Sequence, residues 1–252
     1  IDLPGNGSES SPYKISNISE LQTVRSDLDA NYELVNDISA SQTAQLNDGH
    51  GFDPVGGDGG VFNRPFTGSL NGNNHTVAGL VINRSDERAV GLFGVSSGTL
   101  ANITLTEVTV SGNVSVGGLV GGNGGLIQNA TASESVTGND SVGGIVGTNV
   151  FRFVSDGNET VRAGTIQDTF AVGAVSGNAD VGGLVGSNSA PGTTTTGTVE
   201  QSYFDEQATG QSASAGNATG LTTAEMQGQA AAENMNRFDF DNTWTTTSEY
   251  PA

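Results

Sequence analysis

Along most of the chain, apolar residues come in short runs separated by glycine, asparagine and serine. Runs such as Ser115–Val120 (SVGGLV) are too short for helices, and their β-branched content favours strands. The runs recur. Gly91-Leu92-Phe93-Gly94, Gly118-Leu119-Val120-Gly121, Gly144-Ile145-Val146-Gly147 and Gly183-Leu184-Val185-Gly186 follow one another at steps of 27, 26 and 39 residues. A second landmark, Val110-Ser111-Gly112-Asn113, Val136-Thr137-Gly138-Asn139 and Val175-Ser176-Gly177-Asn178, advances by 26 and 39. Both ladders lengthen by 13 at the same place, so one insertion accounts for both, most simply Val150–Arg162. Thr99-Leu100, Leu126-Ile127, Thr165-Ile166 and Thr198-Val199 supply a third apolar element per unit.

Three short strands cannot bury a face alone, but stacked copies share a continuous core. The period therefore predicts an all-β fold, a right-handed three-sided parallel β-helix with short helical caps. A β-sandwich is the alternative, and would show hairpin signals at closer spacing. The repeat glycines are expected where φ is positive or where a side chain would strike the next coil. One domain, 1–252, divides into a cap and first coils (1–64), repeat coils with the 150–162 insertion (65–204) and a C-terminal cap (205–252). Ser19 is the candidate N-cap of a helix that aligns Leu21, Val24 and Leu28. Thr222 or Thr223 opens a second helix over 224–232, and Phe238, Phe240 and Trp244 supply bulk to close the last coil. Phe151, Arg152 and Phe153 in the insertion read as a strand or loop leaving the coil, packed on its own stack or against a partner.

Charge narrows the function. The chain carries 27 acidic and 8 basic residues, a formal charge of −19, and Lys14 is the one lysine. Such a surface repels phosphate backbones and anionic membranes. One-signed acidity with so little lysine fits a high-salt habitat, where self-repulsion is screened. Cysteine is absent, which removes disulfides and thiolate chemistry. No apolar run is long enough to span a membrane, and the start at Ile1 reads as a processed or excised product. Ten of the 23 asparagines stand in glycosylation sequons: Asn6, Asn17, Asn74, Asn83, Asn102, Asn113, Asn129, Asn139, Asn158 and Asn217. They point to an extracellular, N-glycosylated protein.

The Gly-Leu-x-Gly ladder, with Asn123, Asn149 and Asn188 two residues past its last glycine, resembles the GLUG repeat of bacterial and archaeal surface proteins. Similar too are the opening Ser11–Ile15 with Glu20-Leu21, the stretch Tyr32–Ile38, Pro65–Gly68 with Leu70–Gly72, and the tail. In the tail the resemblance runs from Tyr203–Asp205 through Gly220–Thr223 to Trp244 and Tyr250-Pro251. The resemblance implies extracellular display, commonly for adhesion or as a stalk within larger surface proteins, and carries no catalytic residues. With the charge balance it leads to the expectation of a halophile's surface protein, either a filament subunit or a displayed adhesin.

The chemistry is sparse. Lyases of this fold pair an Arg or Lys base with bound calcium, and glycosidases need paired carboxylates. Neither pattern recurs in register here, so the chain is not read as an enzyme. The other readings are a polysaccharide-binding or polysaccharide-degrading β-helix and a viral spike or fibre module. In the acidic loop Asn47–Gly60, Asp48, Asp53 and Asp58 are a candidate calcium set, with Asp239 and Asp241 a weaker one. His50 and His75 lack the partners of a zinc site. No other cofactor is implied. The expected partners are further copies, joined end to end or through terminal strands, and surface glycans or cell receptors.

Overall fold

Parallel pairing between equivalent segments of successive coils organises the chain. The computed structural model describes residues 2–57, 63–155, 158–190, 192–241 and 243–251. Three parallel sheets carry the repeat, and an antiparallel hairpin stands apart. In one short sheet, Arg88–Val90, Val114–Gly117, Asp140–Gly143 and Ala179–Gly182 stack in coil order. In the other, Phe93–Ser96, Val120–Asn123, Val146–Thr148 and Val185–Ser187 do the same. A long sheet takes the rest of each coil, with Thr99–Ser111 beside Leu126–Thr137 at its centre.

Register explains the sequence steps. Val114 pairs with Arg88 at a spacing of 26, but Val120 pairs with Phe93 at 27, because the later coil reads Gly-Gly-Leu where the earlier reads Gly-Leu. The surplus is returned at Glu107, a left-handed residue (φ 54°) left without a partner between Thr106 and Val108. The 39-residue step is the insertion. Leu126 pairs directly with Thr165, and the residues between include the antiparallel hairpin Val150–Ser155 and Asn158–Ala163. Phe151 is buried against Ala89 and Val95, so the base of the hairpin packs on its own stack.

Each Gly-Leu-x-Gly unit is the corner between the two short sheets. Its second and third residues, such as Leu119 and Val120, point into the core. None of its eight glycines has positive φ; left-handed φ falls instead on Ala89, Ser115, Ser141 and Asp180, the second residue of each strand of the first short sheet. The glycines instead permit close backbone approach. A Cβ on Gly121 would lie 2.4 Å from the Ala89 carbonyl carbon, and one on Gly186 2.4 Å from the Val142 nitrogen.

The ends are closed differently from expectation. The first helix, Ile18–Thr23, is capped by Asn17 rather than Ser19: Asn17 Oδ1 accepts from the Glu20 N–H at 3.0 Å. The expected helix over 224–232 is split into a 3-10 turn, Thr223–Glu225, and the helix Gly228–Asn234, with Thr222 and Glu225 forming a reciprocal capping box. Phe238 and Trp244 do not fill the last coil. They pack with Phe170, Tyr203, Met226 and Met235 in a second cluster. Ala171 belongs to the main core, so Phe170 lies on the opposite, outward face of the sheet. The last coil is covered by 213–215, where Ala215 N–H donates to the Val185 carbonyl and Gly183 N–H to Ala213.

Candidate functional site

Sequence placed candidate chemistry in the acidic glycine-rich loop. There Asp53 bridges two guanidiniums, Arg25 at 2.8 Å and Arg84, and Arg84 also holds Glu87 at 2.8 Å. Gln22 pins the loop backbone at Asp53 through two hydrogen bonds of 2.8 and 3.1 Å. Asp48 occupies a left-handed turn (φ 54°), and Asp58 lies outside the described residues. The Asp53 carboxylate is thus part of an ion-pair network joining the 3-10 turn Val24–Ser26, just after the first helix, to the first coils. Among the described residues, no three His, Cys, Asp or Glu side chains are gathered to hold a metal.

The histidines are local fasteners. His50 Nδ1 meets the Asn83 carbonyl at 3.2 Å, and His75 Nδ1 meets Asp37 at 3.2 Å. The Thr76 N–H, and secondarily His75, hold the Asp37 carboxyl below its ordinary range. Asp239 accepts from the Asp241 N–H at 3.1 Å within its own turn. It raises the pKa of Asp168, after burial, the larger cause.

The sequon asparagines sort by environment. Asn6, Asn17, Asn74, Asn83, Asn139 and Asn217 are exposed, and Asn102, Asn113 and Asn129 are half-buried. The side chain of Asn158 is outside what the structure describes. Asn102 Nδ2 donates to Asn71 Oδ1 at 2.9 Å, and Asn129 Nδ2 to Asn102 Oδ1 at 3.0 Å. These amides form a column across three coils. Asn102 and Asn129 both take left-handed φ, which asparagine tolerates better than most residues.

A buried carboxylate escaped the sequence reading. Asp205 is fully buried; its Oδ1 accepts from the Gln207 and Ala208 N–H groups, and its Oδ2 from the Tyr250 hydroxyl at 2.7 Å. The pair ties the C-terminal tail to the last coils. Burial, then the Asp205 hydrogen bond, pushes the Tyr250 hydroxyl up to about 12, while burial raises Tyr32 as well. An unfolded tyrosine ionises near pH ~10. The stability gained by keeping Tyr250 protonated is therefore full below that pH and is lost as pH rises towards 12. Thermal melts are expected to fall over that window. Tyr250→Phe should flatten the slope and lose about 1–2 kcal/mol at neutral pH; an unchanged alkaline slope would refute the assignment.

No family model matches the chain. The fold matches the crystal structure of a putative immunoglobulin A1 protease from Bacteroides ovatus, with TM-score 0.61 over 98% of this chain and 93% of that one. At 19% identity the likeness is one of fold. A "Putative Gly-rich membrane protein" of Evansella cellulosilytica is 39% identical over 135 residues, half of this chain and 15% of that protein. No helix among the described residues is long and apolar enough to cross a membrane. Along 98% of its length this chain is 34% identical to a stretch of Halomucin from Haloquadratum walsbyi, and it spans 3% of that protein.

Proposed function

We propose that the chain is a non-catalytic, N-glycosylated unit of a secreted surface protein of a halophilic organism. In this reading residues 1–252 form one right-handed three-sided β-helix, displayed as an adhesin or assembled into a filament. The observation that carries it is the 34% identity to Halomucin along nearly the whole chain, confined to 3% of that protein. Such a match is what a module of a very long polypeptide would give. The charge of −19 supports the habitat, since carboxylates keep a surface hydrated and their repulsion is screened in concentrated salt.

The test is an epitope tag on the full-length protein in its halophilic host. Labelling of intact cells, or recovery from the medium, is expected; retention inside the cell would overturn the reading. Electron microscopy of the secreted material in high salt then separates regular fibres from dispersed particles. Peptide mapping of that material by mass spectrometry should find glycans on the exposed sequons. Asn102 and Asn129 should be bare, because their amides are engaged in the column through Asn71. Full occupancy at those two positions would contradict the expectation.

A further inference from the structure

We propose that a groove along the long sheet, beside the C-terminal tail, binds an uncharged saccharide chain. The inference rests on the groove's geometry and not on the surface-protein reading.

The outward face of this sheet changes character between neighbouring coils. Leu105 and Ala132 point into the core, so Thr104 and Thr106, and in the next coil Thr131 and Ser133, point outward. Thr104 pairs with Thr131, and Thr106 with Ser133, giving two adjacent columns of hydroxyls. One coil further on, Phe170 takes the place of Thr131. There the outward face becomes apolar, and the tail settles on it. The transition leaves a groove of about 450 Å³, floored by the hydroxyls and walled by Phe170, Tyr250 and Pro251.

The wall is held in place before any ligand arrives. The Tyr250 hydroxyl donates to Asp205, and the Thr247 hydroxyl donates to the Tyr250 carbonyl at 2.7 Å. The Tyr250 and Phe170 rings lie 6.4 Å apart. A fixed aromatic wall loses little conformational freedom on binding. A pyranose offers what this groove can use: a C–H face for the aromatic side and hydroxyl edges for the threonine columns. Successive rungs are ~4.8 Å apart, comparable to the length of one sugar ring, so a linear chain can meet one rung per residue.

Charge selects among saccharides. Among the described residues that line the groove there is no Lys, Arg or His, and Glu249 is the one charged group. With a chain charge of −19, uronates and sulfated sugars are repelled. A neutral ligand also keeps its affinity in concentrated salt, where ion pairs are screened.

Trp244, the chain's one tryptophan, is buried 5.5 Å from the Phe170 ring and reports on the groove through its fluorescence. The experiment titrates the chain with cello-hexaose, manno-hexaose and fully N-acetylated chito-hexaose, and with an oligogalacturonate of the same length. A saturable response to at least one neutral hexaose is expected, unchanged from low to molar salt. Thr104→Val and Thr131→Val should each weaken it at least about tenfold with the melting temperature preserved. Thr137→Val, exposed on the same sheet beyond the groove lining, should leave it unaltered. No response to any neutral hexaose, wild-type affinity in both valine variants, or tighter binding of the oligogalacturonate would overturn the proposal.

Discussion

Gly147→Ala is expected to lower the melting temperature by roughly 10 °C, the equivalent of about 3–5 kcal/mol in a chain of this size. A Cβ at Gly147 would stand 2.4 Å from the Ser115 carbonyl carbon and the Val116 nitrogen, and 2.7 Å from the Gly121 oxygen. All three are backbone atoms of the preceding coil, so no side chain can swing aside. Relief requires the two short sheets to separate, which strains the parallel pairings of Val120 with Val146 and Val116 with Val142. Gly210→Ala is the control. Gly210 has φ +69° and no atom within 4 Å of its would-be Cβ, so the loss should be about 1 kcal/mol, from backbone conformation alone. Calorimetry decides between them. A Gly147→Ala melt as mild as that of Gly210→Ala would mean that the coils are not held at the observed spacing.

The same glycines mark how far the sequence could be read. Their steps of 27, 26 and 39 translate into observed registers, because stacked strands must advance by one coil per repeat. The insertion was legible because two independent ladders jumped together, and the pairing of Leu126 with Thr165 closes over it. The purpose of each glycine was only half legible. Positive φ falls on Ala89, Ser115, Ser141 and Asp180, of which only the aspartate is of a type that tolerates it well, while the glycines serve close approach. A second glycine column, Gly98, Gly125, Gly164 and Gly197, stands immediately before the third apolar element of each unit, where the sequence reading followed the apolar pair and not the glycine. Cβ atoms there would fall within 2.0–2.4 Å of a neighbouring carbonyl or asparagine amide.

The caps were harder for a physical reason. Around Phe170-Ala171-Val172 both faces of the strand are apolar, so the alternation that separates inside from outside disappears. Sequence therefore assigned Trp244 and Phe238 to the core end, whereas they cover an outward face. At the N-terminus, Asn17 and Ser19 are both competent caps. The choice went to Asn17 because Glu20 then reaches back to the Ser16 N–H at 2.7 Å. Of the candidate calcium loop, sequence gave the acids but not the arginines that reach Asp53 from 28 and 31 residues away.

Asn149→Leu should cost at least as much as Gly147→Ala, and Asn149→Asp should add a dependence on pH. Asn149 is fully buried in a polar column that runs inside the stack. Its Oδ1 accepts from Asn123 Nδ2 at 2.8 Å, and its Nδ2 donates to Asn188 Oδ1 at 2.9 Å, with the Gly164 and Thr198 carbonyls at 3.2 Å. Leucine has the same number of side-chain heavy atoms but is bulkier and offers neither donor nor acceptor, so it strands buried amide and carbonyl groups on both neighbouring coils. Each such group costs about 1–3 kcal/mol, which puts the loss on the order of 3–5 kcal/mol. Aspartate keeps the acceptor facing Asn123 but turns the donor into an oxygen facing Asn188 Oδ1 and two carbonyls. Ionisation there is doubly opposed, by burial and by acceptor crowding, so the folded-state pKa rises above its unfolded value. Protonated, the carboxyl restores one donor; the penalty is therefore small at acid pH and grows as pH rises past the unfolded value near ~4. Melts of Asn149→Asp at acid and neutral pH, set against Asn149→Leu, check both statements. Equal stability of the aspartate variant at the two pH values would show that the column is open to water, and the ladder would then be a surface feature with no part in holding the coils in register.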